Sequence, residues 1–298
     1  MTLPMSSLYI RHRMNSHSPM ANFRGCKQLT PLVARAGSPF LDRLAVNVPN
    51  TASSTDVVIE DLYASWRRLG VNFTGRSTAE PVDVERLILH TAQVAGADER
   101  LTVCAVSWLA VYHSLVDGRR LSELAREAHG KTRAYLGAIL TLAIEAPDGA
   151  GRAPEFNTAL SHCRPLRRPR AFYDVFERLP TYRDRVRALA PPLYRRWGLW
   201  HDDMTLKRVS LHDLNWLLKV PELRARALCG PSIEASCVAY TKERVTNARS
   251  LSRQLDVSYA AAHAAVERLV GRGLLVRQRN GIRQDLRLSP FAAAALAS

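Results

Sequence analysis

Apolar residues recur at helical spacing along most of the chain. The first such run covers residues 57–69 and includes Trp66, and comparable blocks cover residues 82–145 and 157–229. Strict alternation of apolar and polar residues, which is typical of strands, is persuasive only after Gly273. The pattern therefore predicts a mainly α fold with a helical N-terminal and middle region and one small β-hairpin near the C-terminus.

Breaks in this periodicity divide the chain into four predicted parts. A stretch rich in Ser, Pro and Asn comes first, the segment APDGAGRAPEF separates two helical blocks, and Pro231 follows Gly230 where the last block begins. Pro165 and Pro169 exclude a long regular helix from the middle block. The parts are a largely disordered tail (1–55), a helical domain (56–146), a basic helical region (157–230) and a C-terminal domain (231–298).

The segment RSLSRQLDVSYAAAHAAVERLVGRG has the capping, turn and helix-terminating residues that are typical of a helix-turn-helix. Ser250 is the predicted cap of a short helix, and Asp256 falls in the tight turn, where Asp tolerates a left-handed backbone. Ser258 is predicted to cap the second helix, which Gly271 and Gly273 terminate. The inward residues are Leu251 and Leu255 in the first helix and Ala262, Val266 and Leu269 in the second.

The alternating stretch LLVRQRNGIRQDLRLS follows, with an Asn-Gly pair at its bend. A two-residue turn there would pair Arg279 with Ile282, whereas a three-residue loop over 279–281 would pair Gln278 with Ile282. The three-residue loop is preferred because it gathers the apolar residues on one face of the hairpin. That face would hold Leu274, Val276, Ile282 and Leu286, with Arg277 and Arg283 on the other.

Together the two helices and the hairpin resemble the winged helix-turn-helix of bacterial regulators such as the MarR and GntR families. The resemblance covers about Val245 to Leu288. It implies a recognition helix that starts at Ser258 and lies in the major groove of DNA, with the hairpin as a wing against the backbone. Winged helices also serve as protein-binding modules, so a protein-interaction scaffold stays open as an alternative.

The candidate DNA-binding residues lie on this second helix and on the wing. The exposed positions of the helix, which also include Glu267, offer no Arg, Asn or Gln for a bidentate contact with a base. The wing arginines suit phosphate or a minor groove, so we expect a firm grip on DNA and weak direct readout. The candidates are Ser258, Tyr259, Ala260 and His263 on the helix and Arg277, Arg279, Arg283 and Arg287 on the wing.

Residues 101–145 are a candidate first helix-turn-helix. A shift of 130 residues lays DGRRLSELAREAHGKTRAYLGAILTLA over NARSLSRQLDVSYAAAHAAVERLVGRG. Lys131, Thr132 and Arg133 would then open its recognition helix, and the tandem would loosely resemble plasmid replication initiators. The alternative is an ordinary helical bundle, which the lack of a hairpin pattern after Ala146 favours.

The charge balance favours a polyanionic partner. The 298 residues include 42 basic and 27 acidic ones, which gives a net charge of +15 and a pI near 10.2. Thirty-seven of the basic residues are Arg, whose planar fork matches phosphate better than the Lys ammonium does. Ten Arg lie between Arg164 and Arg196, where they form either a phosphate-tracking face or a solvated surface around a helical core.

Enzyme motifs are scarce in the chain. It contains no phosphate-binding loop, no dinucleotide glycine pattern after a strand and no GxSxG elbow. Arg196 and His201 have the Arg-x4-His spacing of RNA-cleaving helical toxins, in which His acts as acid and base, so an RNA-cleaving enzyme is a second alternative. The neighbours in His201–Asp203 and His212–Asp213 do not share a helical face and predict no metal site. No catalytic set and no cofactor are expected.

Location and partners follow from cysteine usage, hydropathy and charge. The five Cys form no CxxC pair, which suits a reducing compartment, and the N-terminus shows no apolar secretion signal. The apolar run from Leu101 to Val116 is too short for a membrane span and predicts a buried helix. The sequence thus predicts a cytoplasmic bacterial protein that binds double-stranded DNA as a transcriptional regulator or a plasmid or mobile-element factor. No membrane partner is expected, and a homodimer stays open.

Overall fold

The computed structural model describes residues 54–146, 154–280 and 283–297. The predicted tail (1–55) therefore lies almost wholly outside the described residues, and Gly281 and Ile282 of the predicted hairpin lie outside them too. Most of the described residues are helical, and a small antiparallel sheet lies near the C-terminus. The prediction of a mainly α fold is confirmed.

The described residues form fifteen α-helices, two 3₁₀ helices and two pairs of strands. The α-helices are α1 (Ser54–Arg68), α2 (Val84–Val94), α3 (Glu99–Tyr112), α4 (Gly118–Glu127), α5 (Thr132–Ile144), α6 (Pro154–His162), α7 (Asp174–Glu177), α8 (Pro180–Leu189), α9 (Pro192–Arg195), α10 (Leu214–Leu217), α11 (Pro221–Cys229), α12 (Ile233–Glu243), α13 (Ala248–Gln254), α14 (Tyr259–Gly271) and α15 (Pro290–Ala297). The 3₁₀ helices are His113–Leu115 and Arg208–Ser210. Strand β1 (Arg170–Ala171) pairs in parallel with β2 (Leu199–Trp200), and β3 (Leu275–Asn280) pairs antiparallel with β4 (Arg283–Leu288).

Two nearly all-apolar helices, α3 and α5, lie at the centre of the larger core. The carboxylate of Asp98 begins α3 by accepting a hydrogen bond from the Leu101 amide at 2.7 Å. Helix α3 is buried from Leu101 to Ala110, as the sequence predicts for this run, and it packs against α5. None of the described helices combines the length and the apolar character that a membrane crossing requires.

A second, smaller core lies under α12–α15 and the hairpin. Its buried residues include Leu251, Leu255, Val266 and Leu269, all of which the sequence assigns to the inside. This core also takes in Ala225 of α11, whereas Leu223 of the same helix belongs to the larger core. Helix α11 is therefore shared between the two cores, so the C-terminal core begins before the predicted boundary at residue 231. Residues 51–298 form one compact unit.

A buried ion pair crosses this junction. The Arg226 guanidinium of α11 donates to both carboxylate oxygens of Glu85 in α2 at 2.6 and 2.8 Å, and side-chain exposure is only 2% and 0%. Nη1 of Arg226 also donates to the Leu115 carbonyl at 2.9 Å, and Glu85 accepts from the Asp117 amide at 2.6 Å. Burial opposes the charge of Arg226, but Glu85 outweighs it and keeps the pKa of the guanidinium above its ordinary value.

Replacing Glu85 by Gln should destabilise the protein strongly. The substitution preserves the shape of the side chain but leaves the buried Arg226 charge without its counter-charge, which is expected to lower the free energy of unfolding by about 3–5 kcal/mol. Guanidinium denaturation measures this change. The matched control is Glu60→Gln, which breaks the pair with Arg67 at a carboxylate that is 67% exposed and is expected to change stability by less than about 1 kcal/mol. Equal effects of the two variants would contradict the assignment.

Candidate nucleic-acid interface

Helices α13 and α14 are joined by a tight turn at Asp256, which has a φ of +47°. The Ser258 hydroxyl caps α14 by accepting from the Ala261 amide at 3.1 Å, as predicted. The cap of α13 is Asn247, which accepts from the Ser250 amide at 2.9 Å, so the prediction of Ser250 as the cap is wrong. Asn247 is a good capping residue three positions earlier, and the helix accordingly begins at Ala248.

A third extended segment joins the hairpin. Between α12 and α13, the Thr246 carbonyl accepts a hydrogen bond from the Leu286 amide at 2.7 Å, which forms a single antiparallel bridge to β4. Both residues are buried. The bridge fixes the position of the hairpin relative to the start of α13.

The register of the hairpin differs from the preferred prediction. Gln278 pairs with Asp285 and Asn280 pairs with Arg283, which leaves only two residues of the sequence between the paired strands. Leu275 is the buried strand residue, with 1% exposure, whereas Val276 is 41% exposed. The end of α14 causes this difference in register. Gly273 turns the chain at a φ of +70°, and the Leu274 amide then closes the helix by donating to the Leu269 carbonyl. The first inward position of the strand is therefore Leu275.

This register separates the four wing arginines. Alternation along β3 places Arg277 and Arg279 on the same side as the buried Leu275, which is the side that faces α14. Arg277 forms an ion pair with Glu267 of α14. Arg287 pairs in register with Val276 on the opposite side and is exposed. Arg283 begins β4 directly after the turn.

The predicted reading face of α14 is solvent-exposed. Ser258, Tyr259, Ala260 and His263 are all exposed, while Ala262 between them is buried. The rings of Tyr259 and His263 lie side by side with centroids 5.7 Å apart.

A concave surface of about 400 Å³ lies between α13, α14 and the hairpin, and we call it the hairpin-side cavity. Arg249 of α13 and Arg277 of β3 line it from two sides, together with Tyr259, His263 and Gln284. No carboxylate is among its lining residues. Because the two guanidinium groups meet no carboxylate within the lining, although Arg277 also pairs with Glu267, the cavity favours an anionic ligand.

The opposite flank of α14 has a different charge. A cleft of about 710 Å³ lies between α14, the start of α12 and α4. Its lining includes four arginines and five acidic residues: Arg119, Arg120, Arg126, Arg268, Asp117, Glu123, Glu127, Glu234 and Asp256. This mixed lining makes the α4-side cleft a poor surface for phosphate, so α14 has one flank that suits a polyanion and one that does not.

The turn between α13 and α14 is anchored to the larger core. Nη2 of Arg120 in α4 donates to the Leu255 carbonyl and to the Asp83 carboxylate, both at 2.6 Å. Arg86 binds the Asp256 carboxylate and thereby holds the pKa of that carboxyl below its ordinary value. These contacts fix the orientation of α14 relative to α2 and α4.

Lys131, Thr132 and Arg133 lie at the start of α5, a helix with little exposed surface. Helix α5 is apolar on all sides and buried along most of its length, so its body cannot enter a DNA groove. The Arg133 guanidinium instead donates to the Ala128 carbonyl at 2.5 Å and to the Arg126 carbonyl at 2.8 Å at the end of α4. Helix α4 packs on α2 and α6, which leaves residues 101–145 as part of a helical bundle.

Arg196 and His201 lie in different surroundings. His201 is 4% exposed and is enclosed by the rings of Phe172, Tyr173, Phe176 and Tyr194, whose centroids lie between 5.2 and 6.2 Å from its own. The half-exposed Arg196 guanidinium lies over Trp197 and 3.6 Å from the Glu145 carboxylate. Among the described residues, no three His, Cys, Asp or Glu side chains are placed to hold a metal ion.

The arginines of the middle region serve several separate contacts. Arg170 binds Asp174 at 2.6 Å, Arg187 lies over the Trp200 ring, and Arg195 donates to the Ala190 carbonyl at 2.7 Å. Part of this basic region therefore stabilises its own short helices and loops.

Sequence reasoning missed several residues of the hairpin-side cavity, among them Arg249 and Gln284. Arg249 could have been found, since it lies two positions after the Asn247 cap, where an exposed side chain is usual. Gln284 required the observed register of the hairpin. The chain matches no family model, no curated protein and no solved structure.

His201 should make the protein less stable in mild acid. Burial lowers the pKa of its imidazole below the ordinary value of 6.5. Between the folded-state pKa and 6.5, His201 is therefore mostly protonated in the unfolded chain and mostly neutral in the folded chain. The stability contributed by the neutral ring is present above pH 6.5 and is lost as the pH falls towards the folded-state pKa. His201→Phe, which keeps a ring in the aromatic enclosure, should reduce the slope of unfolding free energy against pH in this window by up to about 1.4 kcal/mol per pH unit.

Denaturation at a series of pH values measures that slope. The control variant is His129→Gln, which removes an exposed imidazole. An unchanged slope in His201→Phe would show that His201 does not govern the acid sensitivity.

Proposed function

We propose that residues 233–288 are a winged helix-turn-helix that binds double-stranded DNA, with α14 in the major groove and the β3–β4 hairpin beside the backbone. The order of elements supports the proposal. A helix, a short extended segment at Thr246, two helices joined by a tight turn and a hairpin follow one another, as they do in that fold.

The observation that carries the proposal is the charge of the hairpin-side cavity. Arg249 and Arg277 approach it from two elements, and no carboxylate lines it. Five acidic residues lie instead in the α4-side cleft, and Glu267 of α14 is paired with Arg277. A duplex that meets α14 from the hairpin side therefore encounters guanidinium groups at its phosphates and avoids the acidic flank.

The proposed contacts fall into two groups, those that bind DNA phosphates (grip) and those that face the bases (readout). Arg249, Arg277, Arg279 and Arg287 are assigned to phosphates on either side of the groove. Tyr259, Ala260 and His263 face the bases, where Ala contributes a methyl contact and the two rings contribute limited hydrogen bonding. This balance fits a transcriptional regulator or a plasmid or mobile-element factor whose affinity for DNA comes mainly from contacts with the DNA backbone.

The surroundings of His201 do not suit the RNA-cleaving alternative. A general acid or base must reach the proton that it transfers, and His201 is enclosed by four aromatic rings. The guanidinium of Arg196 is committed to Trp197 and Glu145.

Removing the two arginines of the cavity should weaken binding to every duplex. For Arg249→Ala with Arg277→Ala we expect the slope of log affinity against log salt to become shallower by about 1.8, because each lost phosphate contact removes about 0.9. The matched control is Arg119→Ala with Arg126→Ala in the α4-side cleft, which should keep the wild-type slope. Fluorescence-anisotropy titrations at several salt concentrations measure both. Failure of the wild-type protein to bind any duplex at low salt would refute the proposal and favour a protein-interaction scaffold.

Changes on α14 should affect sequence preference more than affinity. Tyr259→Ala and His263→Ala remove ring contacts from the reading face but no phosphate contact, so a scrambled duplex should be bound nearly as tightly as by the wild type. The difference in binding free energy between a duplex selected from a random pool and the scrambled duplex should decrease. The decrease should be smaller than the roughly 1–3 kcal/mol of a good bidentate contact. Titrations on both duplexes test this. If these variants abolish binding to both duplexes while the cavity variant is silent, the proposed division between grip and readout is wrong.

A further inference from the structure

Glu267 is an acidic residue on the face of α14 that is assigned to DNA. It follows Tyr259 and His263 at intervals of four residues, so the three side chains form one row along the helix. A groove that receives the first two side chains also receives the third. The Glu267 side chain is 45% exposed.

The carboxylate of Glu267 is held by partners on both sides. Arg277 reaches it from β3, and Nε2 of His263 lies 3.3 Å from its Oε1. Arg277 is also one of the two guanidinium groups that line the hairpin-side cavity. The same arginine therefore has two competing anions, Glu267 in the free protein and a phosphate in the proposed complex.

Exchange between these anions is feasible because exposed ion pairs contribute little to stability. When Arg277 moves to a phosphate, however, Glu267 is left facing the edges of the bases. A carboxylate only accepts hydrogen bonds, so it is repelled by guanine O6 and N7 and by thymine O4. The donors of the major groove are the amino groups of cytosine and adenine, and the N4 amino group of cytosine is the usual partner of a carboxylate.

We infer that Glu267 is a specificity-determining residue of α14, which selects cytosine in the major groove and penalises DNA that places an acceptor, such as thymine O4 or guanine O6, at the position of the cytosine amino group. This inference rests on the proposed DNA binding. It explains how a helix without Arg, Asn or Gln on its reading face can still discriminate, since an unpaired carboxylate disfavours the wrong sequences as effectively as a new contact favours the right one. Glu267 also weakens binding to random DNA, because it retains Arg277.

The test compares wild-type protein with Glu267→Gln. Duplexes that bind wild-type full-length protein are selected from a random pool, and affinities are then measured on the selected duplex and on duplexes in which each C·G pair is replaced in turn by T·A. Wild type should lose about 5- to 150-fold at one position, the range expected for a specific base contact. Glu267→Gln should lose most of that discrimination and should bind the replaced duplex several-fold more tightly than wild type does.

Glu234→Gln is the matched control. It also removes a carboxylate that pairs with an arginine of α14, since Glu234 lies 2.6 Å from Arg268, but this pair lies in the α4-side cleft. We expect it to keep the wild-type affinity and preference, and thermal melting checks that each variant is folded.

The remaining outcomes separate the two proposals. A wild-type protein that binds no duplex refutes DNA binding and, with it, the role of Glu267. A wild-type protein that binds DNA while Glu267→Gln keeps the same base preference overturns the role of Glu267 alone. Weaker binding of Glu267→Gln to every duplex would also overturn it, because the carboxylate would then only support the hairpin.

Discussion

Two opposite charges lie between the apolar cores of the molecule with almost no access to water. Glu85 and Arg226 are 0% and 2% exposed, and each has a further hydrogen bond to the backbone. Removing charges from water is unfavourable unless both are paired and their remaining hydrogen-bonding groups are satisfied. The two cores must therefore meet in the one arrangement that satisfies both ions, and this requirement fixes α11 against α2. The position of every element after α11 depends on that contact.

Asp83 and Arg120 form further contacts between the two cores, closer to the protein surface. Asp83 caps α2 and binds Arg120, which in turn holds the carbonyl of Leu255 in the turn before α14. The ion pair of Arg86 with Asp256 adds a second tie to this turn. Because the turn is fixed from outside its own core, the angle at which α14 projects is set by the larger bundle. The bundle therefore acts as the frame that orients the proposed DNA-binding module.

Most local signals could be predicted from the sequence, the cap of α13 at Asn247 being an exception, whereas relations between distant segments could not. The Ser258 cap, the turn at Asp256 and the inward stripe through Val266 each depend on a few neighbouring residues, and each could be predicted. The register of the hairpin could not, because it is set by how α14 ends at Leu274 rather than by the alternation of the strands. The pairing of Glu85 with Arg226 joins residues 141 positions apart, and no periodicity encodes such a contact.

The candidate site follows the same division. Exposure of Tyr259 and His263 follows from helical periodicity alone, whereas the ion pair of Glu267 with Arg277 needs both the register and the approach of the hairpin to α14. Once this ion pair is known, the alanine-rich sequence of α14 is interpreted differently. Helix α14, with five alanines among its thirteen residues, has few side chains that could attract one base over another. In the proposed complex a single acidic side chain therefore dominates the choice of sequence by repulsion, while the arginines on the hairpin side supply the affinity.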